Sequence, residues 1–384
     1  MTDHLKERAE RPYDIIVWGA TGYTGSLVVE YLAKNAPENV KIAIGGRNKS
    51  KLEELQTKMK DIAGRAVHIL TGDIKNQESI DNVVKQGRVL VSTAGPFSQI
   101  GEPIVDACVR HRTDYIDSTG EPPFVRKLID KYHDQAHREG TLVIPCSGFD
   151  CIPSDLGALL ITDHFAKKGL KAAKIHLSVE AFKGGVSGGT IASIFEMERG
   201  KGMMDPYYLA PGAPRGNDPG MTTFFRRHPD LNWQTYWFME AINAKIVRRS
   251  NALLHYSPPS HLSYSEGWAK SNILTCAISA LGITLFGLFM VVPGFGSLVK
   301  WLKPAGSGPT KEEREGGFFK VRVVGETEGQ ANEPPRKAIA TIKGVQDPGY
   351  GETAKMLSET TLCVLLDRDV LRKCERPEGE RANL

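Results

Sequence analysis

The chain has 384 residues, 41% hydrophobic and 24% charged, with 39 glycines and 22 prolines. That balance excludes a collagen-like chain and a disulfide-stapled miniprotein, and the length predicts two domains, each burying its own core. Net charge is +4 without a basic, aromatic-interleaved block, so nucleic acid is not expected as a partner.

Six cysteines stand at 108, 146, 151, 276, 363 and 374, with no C-x-x-C pair and no zinc-finger spacing. They read as reduced thiols, and no metal site is expected. The opening MTDHLKERAERP has no apolar stretch, so it does not read as a secretory signal.

From 13 to 146, short apolar runs alternate with amphipathic stretches. Strands are predicted at 13–18, 41–45, 66–70, 89–94, 114–117 and 142–146. Helices are predicted at 25–34, 49–60, 76–85, 101–111 and 124–139. This rhythm predicts βαβ units and a doubly wound, Rossmann-type parallel sheet over residues 1–148. Residues 149–384 are predicted to form a second α/β domain. Its expected parts are a helix at 156–167, a strand at 173–180 and a Gly-rich stretch at 184–190 opening an apolar helix. A loop at 200–235, strands at 318–324 and 338–343, and a closing helix at 351–372 follow.

The most informative motif is Gly19-Ala20-Thr21-Gly22-Tyr23-Thr24-Gly25, between the strand-like YDIIVW and the helical SLVVEYLAKN. Glycines at this spacing let the backbone turn sharply and approach a pyrophosphate, while the helix N-terminus offers free N–H groups. Gly19, Thr21, Gly22, Tyr23, Thr24 and Gly25 are therefore candidate cofactor contacts. At the second strand tip, Gly45-Gly46-Arg47-Asn48-Lys49-Ser50-Lys51 lacks the acid that would bind a ribose diol. Arg47 suits a 2′-phosphate, with Asn48 and Lys51 beside it, so NADP(H) is favoured over NAD(H). Asp73 after the third strand faces the adenine or caps the next helix. Thr93, Ala94, Gly95 and Pro96 after the fourth strand line the nicotinamide half or merely turn the chain.

No catalytic constellation declares itself. Tyr115 and Ser118 in TDYIDSTGE, and Asp150 in GFDCIPSD, are the candidate catalytic residues. Asp117, Glu121, Ser154 and Asp155 accompany them, with helix capping or turn fixing as local alternatives. His133, Asp134 and His137 share a helix face that reads as solvated rather than metal-binding.

Between Lys270 and Lys300 there is no charged residue and no histidine. Residues 273–292 reach the length of about 20 that crosses a hydrocarbon layer, and Trp268 and Trp301 flank the stretch as at a bilayer interface. The strands at 318–324 and 338–343 must rejoin the second domain. A re-entrant hairpin over 271–303, broken at Pro293-Gly294 with a short return at 295–302, is therefore expected, both ends on the cytoplasmic side. A core or homodimer-interface helix is the alternative. Arg226-Arg227 and Lys245…Arg248-Arg249 are read as facing anionic headgroups or solvent.

GATGYTG, GGRNKSKL, STAGPF, TDYIDSTGE and CSGFDCIPSDLG together resemble the saccharopine-dehydrogenase-like oxidoreductases, over most of the chain. That family includes membrane-associated vertebrate and fungal members, some on lipid droplets, and the trans-acting enoyl reductases of mycobacterial lipid synthesis. The resemblance implies a Rossmann domain, an α/β second domain, NADP(H) and lipid-related chemistry. The resulting expectation is a membrane-associated NADP(H)-dependent oxidoreductase reducing a lipid, acyl or polyketide-like substrate. Its expected place is a lipid droplet or the endoplasmic reticulum rather than a mitochondrial membrane. Two alternatives are a non-catalytic nucleotide-binding scaffold and a saccharopine reductase of lysine metabolism.

Overall fold

The computed structural model describes residues 7–185, 204–215, 225–256, 262–289, 292, 308–329 and 334–373. Strands β1 (Tyr13–Trp18), β2 (Ile42–Gly46), β3 (His68–Thr71), β4 (Gly87–Ser92), β5 (Asp114–Asp117) and β6 (Val143–Ile144) form one parallel sheet in the order β3-β2-β1-β4-β5-β6. The order reverses between β1 and β4, which opens a crevice beyond their carboxyl ends.

The strands read as unbroken apolar runs because both faces are covered. Ile15 and Val17 face helices α1 (Tyr23–Asn35) and α2 (Lys49–Ala63). Ile16 and Trp18 face the opposite layer, built from α3 (Gln77–Val84), α4 (Phe97–Ile100), α5 (Glu102–Arg110) and α6 (Pro122–Glu139). Local signals set the helix limits. Asn48 caps α2 by accepting from the Lys51 N–H at 3.1 Å, and Gly64 ends it at φ 63°.

A second six-stranded sheet contains β7 (Ala172–Lys183), β8 (Phe225–His228), β9 (Asn232–Thr235), β10 (Ser263–Lys270), β11 (Phe318–Thr327) and β12 (Lys337–Gly344). Their order is β12-β11-β7-β10-β9-β8, antiparallel except where β10 runs beside β7. Helices α7 (Ile152–Ala166) and α8 (Glu240–Leu254) cover one face, with Ala158, Ile161, Phe165 and Val247 packed on Ile175, Leu177, Val321 and Val323.

Several expectations need correction. Residues 225–235, expected within a loop, carry the hairpin β8–β9, an edge of the second sheet. The closing helix, α11 (Thr353–Leu366), is expected to belong to the second domain. It packs on the first sheet instead: Ala354, Leu357, Leu362, Val364 and Leu365 join the core of α1 and β1. It follows a π-helical turn at Pro348–Glu352, and a short helix α12 (Arg368–Lys373) comes after it.

The uncharged segment begins with helix α9 (Ile273–Phe289), seated against β8, β9 and β10. No helix among the described residues is long and apolar enough to cross a membrane. The expected hairpin break at Pro293-Gly294 and its return limb lie outside the described residues, as do 186–190 of the Gly-rich stretch. Helix α10 (Lys311–Glu315), held by a Thr310–Glu313 capping box, leads back into β11.

Candidate cofactor and substrate cleft

The turn after β1 is built as its glycines require. Gly19 has φ +78° and its N–H donates to the Gly45 carbonyl at 3.0 Å, tying the turn to the end of β2. A Cβ on Gly19 would meet Ala94 N at 3.0 Å. Gly22 is the N-cap of α1 with no side-chain cap and no acid in the first turn. The N–H groups of Tyr23, Thr24 and Gly25 therefore remain open to an anion at the positive end of α1. A Cβ on Gly25 would lie 2.3 Å from the Gly19 carbonyl oxygen and 2.7 Å from Thr93 Oγ1. Only glycine lets α1 start this close to β1, so the residues present fit a dinucleotide pyrophosphate.

The neighbouring loops complete the cradle. Thr93 donates from its N–H to the Trp18 carbonyl at 3.0 Å, and its hydroxyl donates to the same oxygen at 3.1 Å. It locks the β4 end to the turn and holds Ala94, Gly95 and Pro96 along the crevice. Glu121 fixes that loop from below. Its buried carboxylate accepts from the Phe97 N–H at 3.0 Å and the Ser98 N–H at 2.9 Å. Tyr23 reaches the second domain: its hydroxyl donates to the Pro309 carbonyl and accepts from Arg314 Nη1 at 2.9 Å. Thr21 is exposed at the turn, and Thr24 is half-buried.

At the adenine end, Arg47 is exposed just beyond β2, and Lys51 is exposed one helical turn further on. Asn48 has its Oδ1 occupied as the α2 cap. Asp73 does not cap the next helix; Asn76 does, accepting from the Ser79 N–H at 3.0 Å. The Asp73 Oδ1 accepts from the Lys75 N–H at 3.0 Å, an Asx turn beside the Arg47 end of the sheet.

The three candidate catalytic residues separate. Tyr115 is fully buried, and its hydroxyl donates to Asp117 Oδ2 at 2.8 Å. Burial pushes its phenol far above the ordinary range, so it holds Asp117 and does not reach the cleft. Asp117 is itself structural. Its Oδ1 accepts from the Thr119 and Cys146 N–H groups, joining the ends of β5 and β6, and burial raises its carboxyl to about 7. Ser118 is half-buried, and a Cβ on Gly148 would lie 3.6 Å from its Cβ.

Asp150 is the candidate left exposed. It lies beyond the β5 end, where a Cβ on Gly120 would lie 3.9 Å from its Oδ2. Its loop is pinned by Thr353 Oγ1, which accepts from the Phe149 N–H at 3.1 Å. The Asp150 carboxylate has no hydrogen-bond partner among the described residues. It is exposed, and it lines a pocket whose walls take up part of its solvent shell. Loss of solvating water there, with no neighbouring charge, raises its carboxyl to about 6. The adjoining pocket is lined by Phe149, Pro153, Leu177, Val179, Trp237 and Met239, with Ser154 and Asn243 as further polar members. Its second-domain wall was not visible in the sequence, because Leu177, Trp237 and Asn243 come from three separate elements. No group of three or more potential metal ligands forms among the described residues. His133 instead lies against Arg249.

A doubly wound sheet, a glycine turn fitted to a pyrophosphate and an adjoining apolar pocket with one protonatable carboxyl define a dinucleotide-dependent oxidoreductase. The saccharopine dehydrogenase NADP binding domain family matches residues 15–144. The chain is 34% identical over 390 residues to a Mycobacterium tuberculosis protein named for trans-acting enoyl reduction, covering 94% of this chain and 90% of the relative. It is 30% identical over 391 residues to the trans-acting enoyl reductase of Mycobacterium ulcerans, covering 94% and 91%. In fold it is similar to apo saccharopine dehydrogenase (L-Glu forming) from Saccharomyces cerevisiae, with TM-score 0.50 and 13% identity over 93% of this chain and 92% of that one. The chain belongs to the saccharopine-dehydrogenase-like oxidoreductases, alongside the trans-acting enoyl reductases, and its cofactor is NADP(H).

Proposed function

We propose that this protein reduces the carbon–carbon double bond of an apolar α,β-unsaturated acyl substrate, working at the cytoplasmic face of a lipid surface. Bound NADPH supplies the hydride. Asp150 in its protonated form gives the proton to the neighbouring carbon, and water reprotonates the carboxylate, so atoms and charge balance. Thr93 and Glu121 hold the β4 loop, and Thr353 holds the Asp150 loop, so both walls of the cleft are fixed before substrate arrives. Ser118 borders the same loops as a further polar group.

The observation that carries the lipid reading is an aromatic track. Trp237 lines the pocket and contacts Phe238, Phe182 and Trp268, with ring centroids 4.7, 5.5 and 6.1 Å away. Phe238 is half-exposed, and Trp268 carries the Lys270 ammonium 3.0 Å from its ring centre, three residues before α9 begins. Helix α9 shows apolar side chains around its circumference. Leu274 is 66% exposed, Ile278 62% and Leu281 60%, and only Cys276 is buried. An uncharged helix with this much exposed apolar surface suits burial in a lipid interface, and the track leads from its base to the pocket. A lipid droplet or the endoplasmic reticulum is the surface we favour.

The test is NADPH consumption with a medium-chain trans-2-enoyl thioester. Wild-type protein is expected to oxidise NADPH and form the saturated product. Asp150→Asn is expected to keep NADPH binding and lose turnover at least a hundredfold. Full turnover by Asp150→Asn, or no turnover of any enoyl thioester by NADPH-loaded protein, refutes the proposal.

A further inference from the structure

Behind the pocket wall lies a buried polar cluster that hydride and proton transfer do not use. Glu266 on β10 is 5% exposed, and two side-chain donors converge on its carboxylate. The Tyr264 hydroxyl donates to Oε1 at 2.7 Å and Asn243 Nδ2 donates to Oε2 at 3.0 Å. The Glu266 N–H in turn donates to Glu240 Oε1 at 3.2 Å. Such a cluster is how an interior carboxylate is tolerated.

The cluster dictates what Asn243 offers the pocket it lines. Only the amide NH2 end of Asn243 can donate to Glu266, so the side chain cannot flip, and Oδ1 is turned away. That Oδ1 is buried and has no hydrogen-bond partner among the described residues, on a side chain belonging to a residue 2% exposed. Ser154 lies beside both Glu266 and Tyr264. Asn243 therefore brings an unmatched acceptor to the pocket lining. An unmatched buried acceptor is uncommon in a folded protein and calls for a donor.

We propose that Asn243 Oδ1 reads a hydrogen-bond donor on the substrate, so that the preferred substrate is an acyl chain bearing a hydroxyl group. This deepens the reading above and rests on the cleft being the substrate site. A carbonyl or ether oxygen would bring lone pairs against Oδ1. A full cation would be buried among Phe149, Leu177, Val179 and Trp237, where it is costly. The free space of the whole pocket is about 10 Å³, room for one water-sized group such as a hydroxyl, so the rest of the chain would lie outside it.

The test compares two isomers, 1-octanol and 1-methoxyheptane, which differ in having or lacking an O–H. Each is titrated calorimetrically into NADPH-loaded full-length protein. The alcohol is expected to bind about five- to tenfold more tightly, the worth of one hydrogen bond. That preference is expected to vanish in Asn243→Leu, which keeps the bulk and removes the acceptor, and in the smaller Asn243→Ala. A melting temperature close to that of wild type reports that each variant is folded. Equal affinity of the isomers for wild type overturns the inference without need of a variant, as does an undiminished preference in both variants. The outcome separates from that of the reductase reading. An alcohol preference without enoyl turnover removes the reaction and keeps this subsite, whereas turnover without preference does the reverse.

Discussion

Gly22 and Gly25 stand three residues apart in one turn, and the structure assigns them different penalties. An alanine Cβ at position 25 would lie 2.3 Å from the Gly19 carbonyl oxygen and 2.9 Å from Ala20 Cα. Both are backbone atoms, so no rotamer change relieves the clash. Ordinary contact requires α1 to withdraw from β1 by about 1 Å, an overpacking cost of about 1–3 kcal/mol. At roughly 2–4 °C per kcal/mol, Gly25→Ala should lower the melting temperature by about 2–12 °C. Position 22 has φ −72° and ψ 166°, open to alanine, and its Cβ would meet only the Gly19 carbonyl oxygen at 3.2 Å. Gly22→Ala should therefore melt within about 2 °C of wild type. Its methyl would instead stand where the pyrophosphate approaches, weakening NADPH binding by roughly tenfold or more. Gly64→Ala is the control. Its φ of +63° disfavours a side chain, but no atom lies within 4 Å, so about 1 kcal/mol of stability is lost with NADPH binding intact. Thermal melts and fluorescence titrations with NADPH measure both quantities. A Gly22→Ala protein that binds NADPH like wild type, or a Gly25→Ala protein that melts with it, would refute the reasoning.

Arg47→Ala should weaken NADPH by about 10- to 100-fold, the worth of a charge-assisted contact, and NADH by less than about twofold. Equal losses for both coenzymes would remove Arg47 from the 2′-phosphate. Because the Asp150 carboxyl sits at about 6, the proton donor is present below that pH and lost above it. The kcat/KM for enoyl reduction should be level below about pH 6 and fall about tenfold per pH unit above; an unbent profile from pH 5 to 8 contradicts the assignment. Leu281→Glu with Ile278→Glu places two charges on the exposed face of α9. Vesicle flotation should drop by at least tenfold with melting unchanged, since each apolar side chain contributes about 1.5–3 kcal/mol when buried in lipid. Undiminished flotation places the lipid contact elsewhere.

The first domain was legible because each level of its sequence agrees with the next. Buried parallel strands need continuous apolar runs, and β1, β2, β4 and β5 fall within three residues of their predicted positions. The glycine turn was readable because its spacing answers a backbone need rather than a side-chain choice. What was not readable depended on partners distant in sequence. Tyr115 sits in a four-residue strand buried on both faces, so nothing local marks its hydroxyl as turned into the core. The closing helix is visibly a helix, but its return to α1 across the whole chain follows from the topology alone. Strands β8 and β9 read FRRH and NWQT, too short and polar for period-two alternation to register.

The second domain resists sequence reading for a reason connected with its proposed work. Helix α8 buries Glu240, Asn243, Lys245, Arg248 and Asn251, while α9 exposes leucines and isoleucines. Both invert the usual pattern of apolar inside and polar outside. Stability by itself gives no reason for either inversion, since buried polar groups need partners and exposed apolar surface invites aggregation. The two inversions meet along one line. The polar interior fixes Asn243 in the pocket lining, Trp237 forms its wall, and the Trp268 track runs outward to the base of α9. An exposed apolar helix, joined through aromatic rings to a pocket with a fixed acceptor, is the arrangement that the proposed work on an apolar, hydroxyl-bearing chain at a lipid surface calls for.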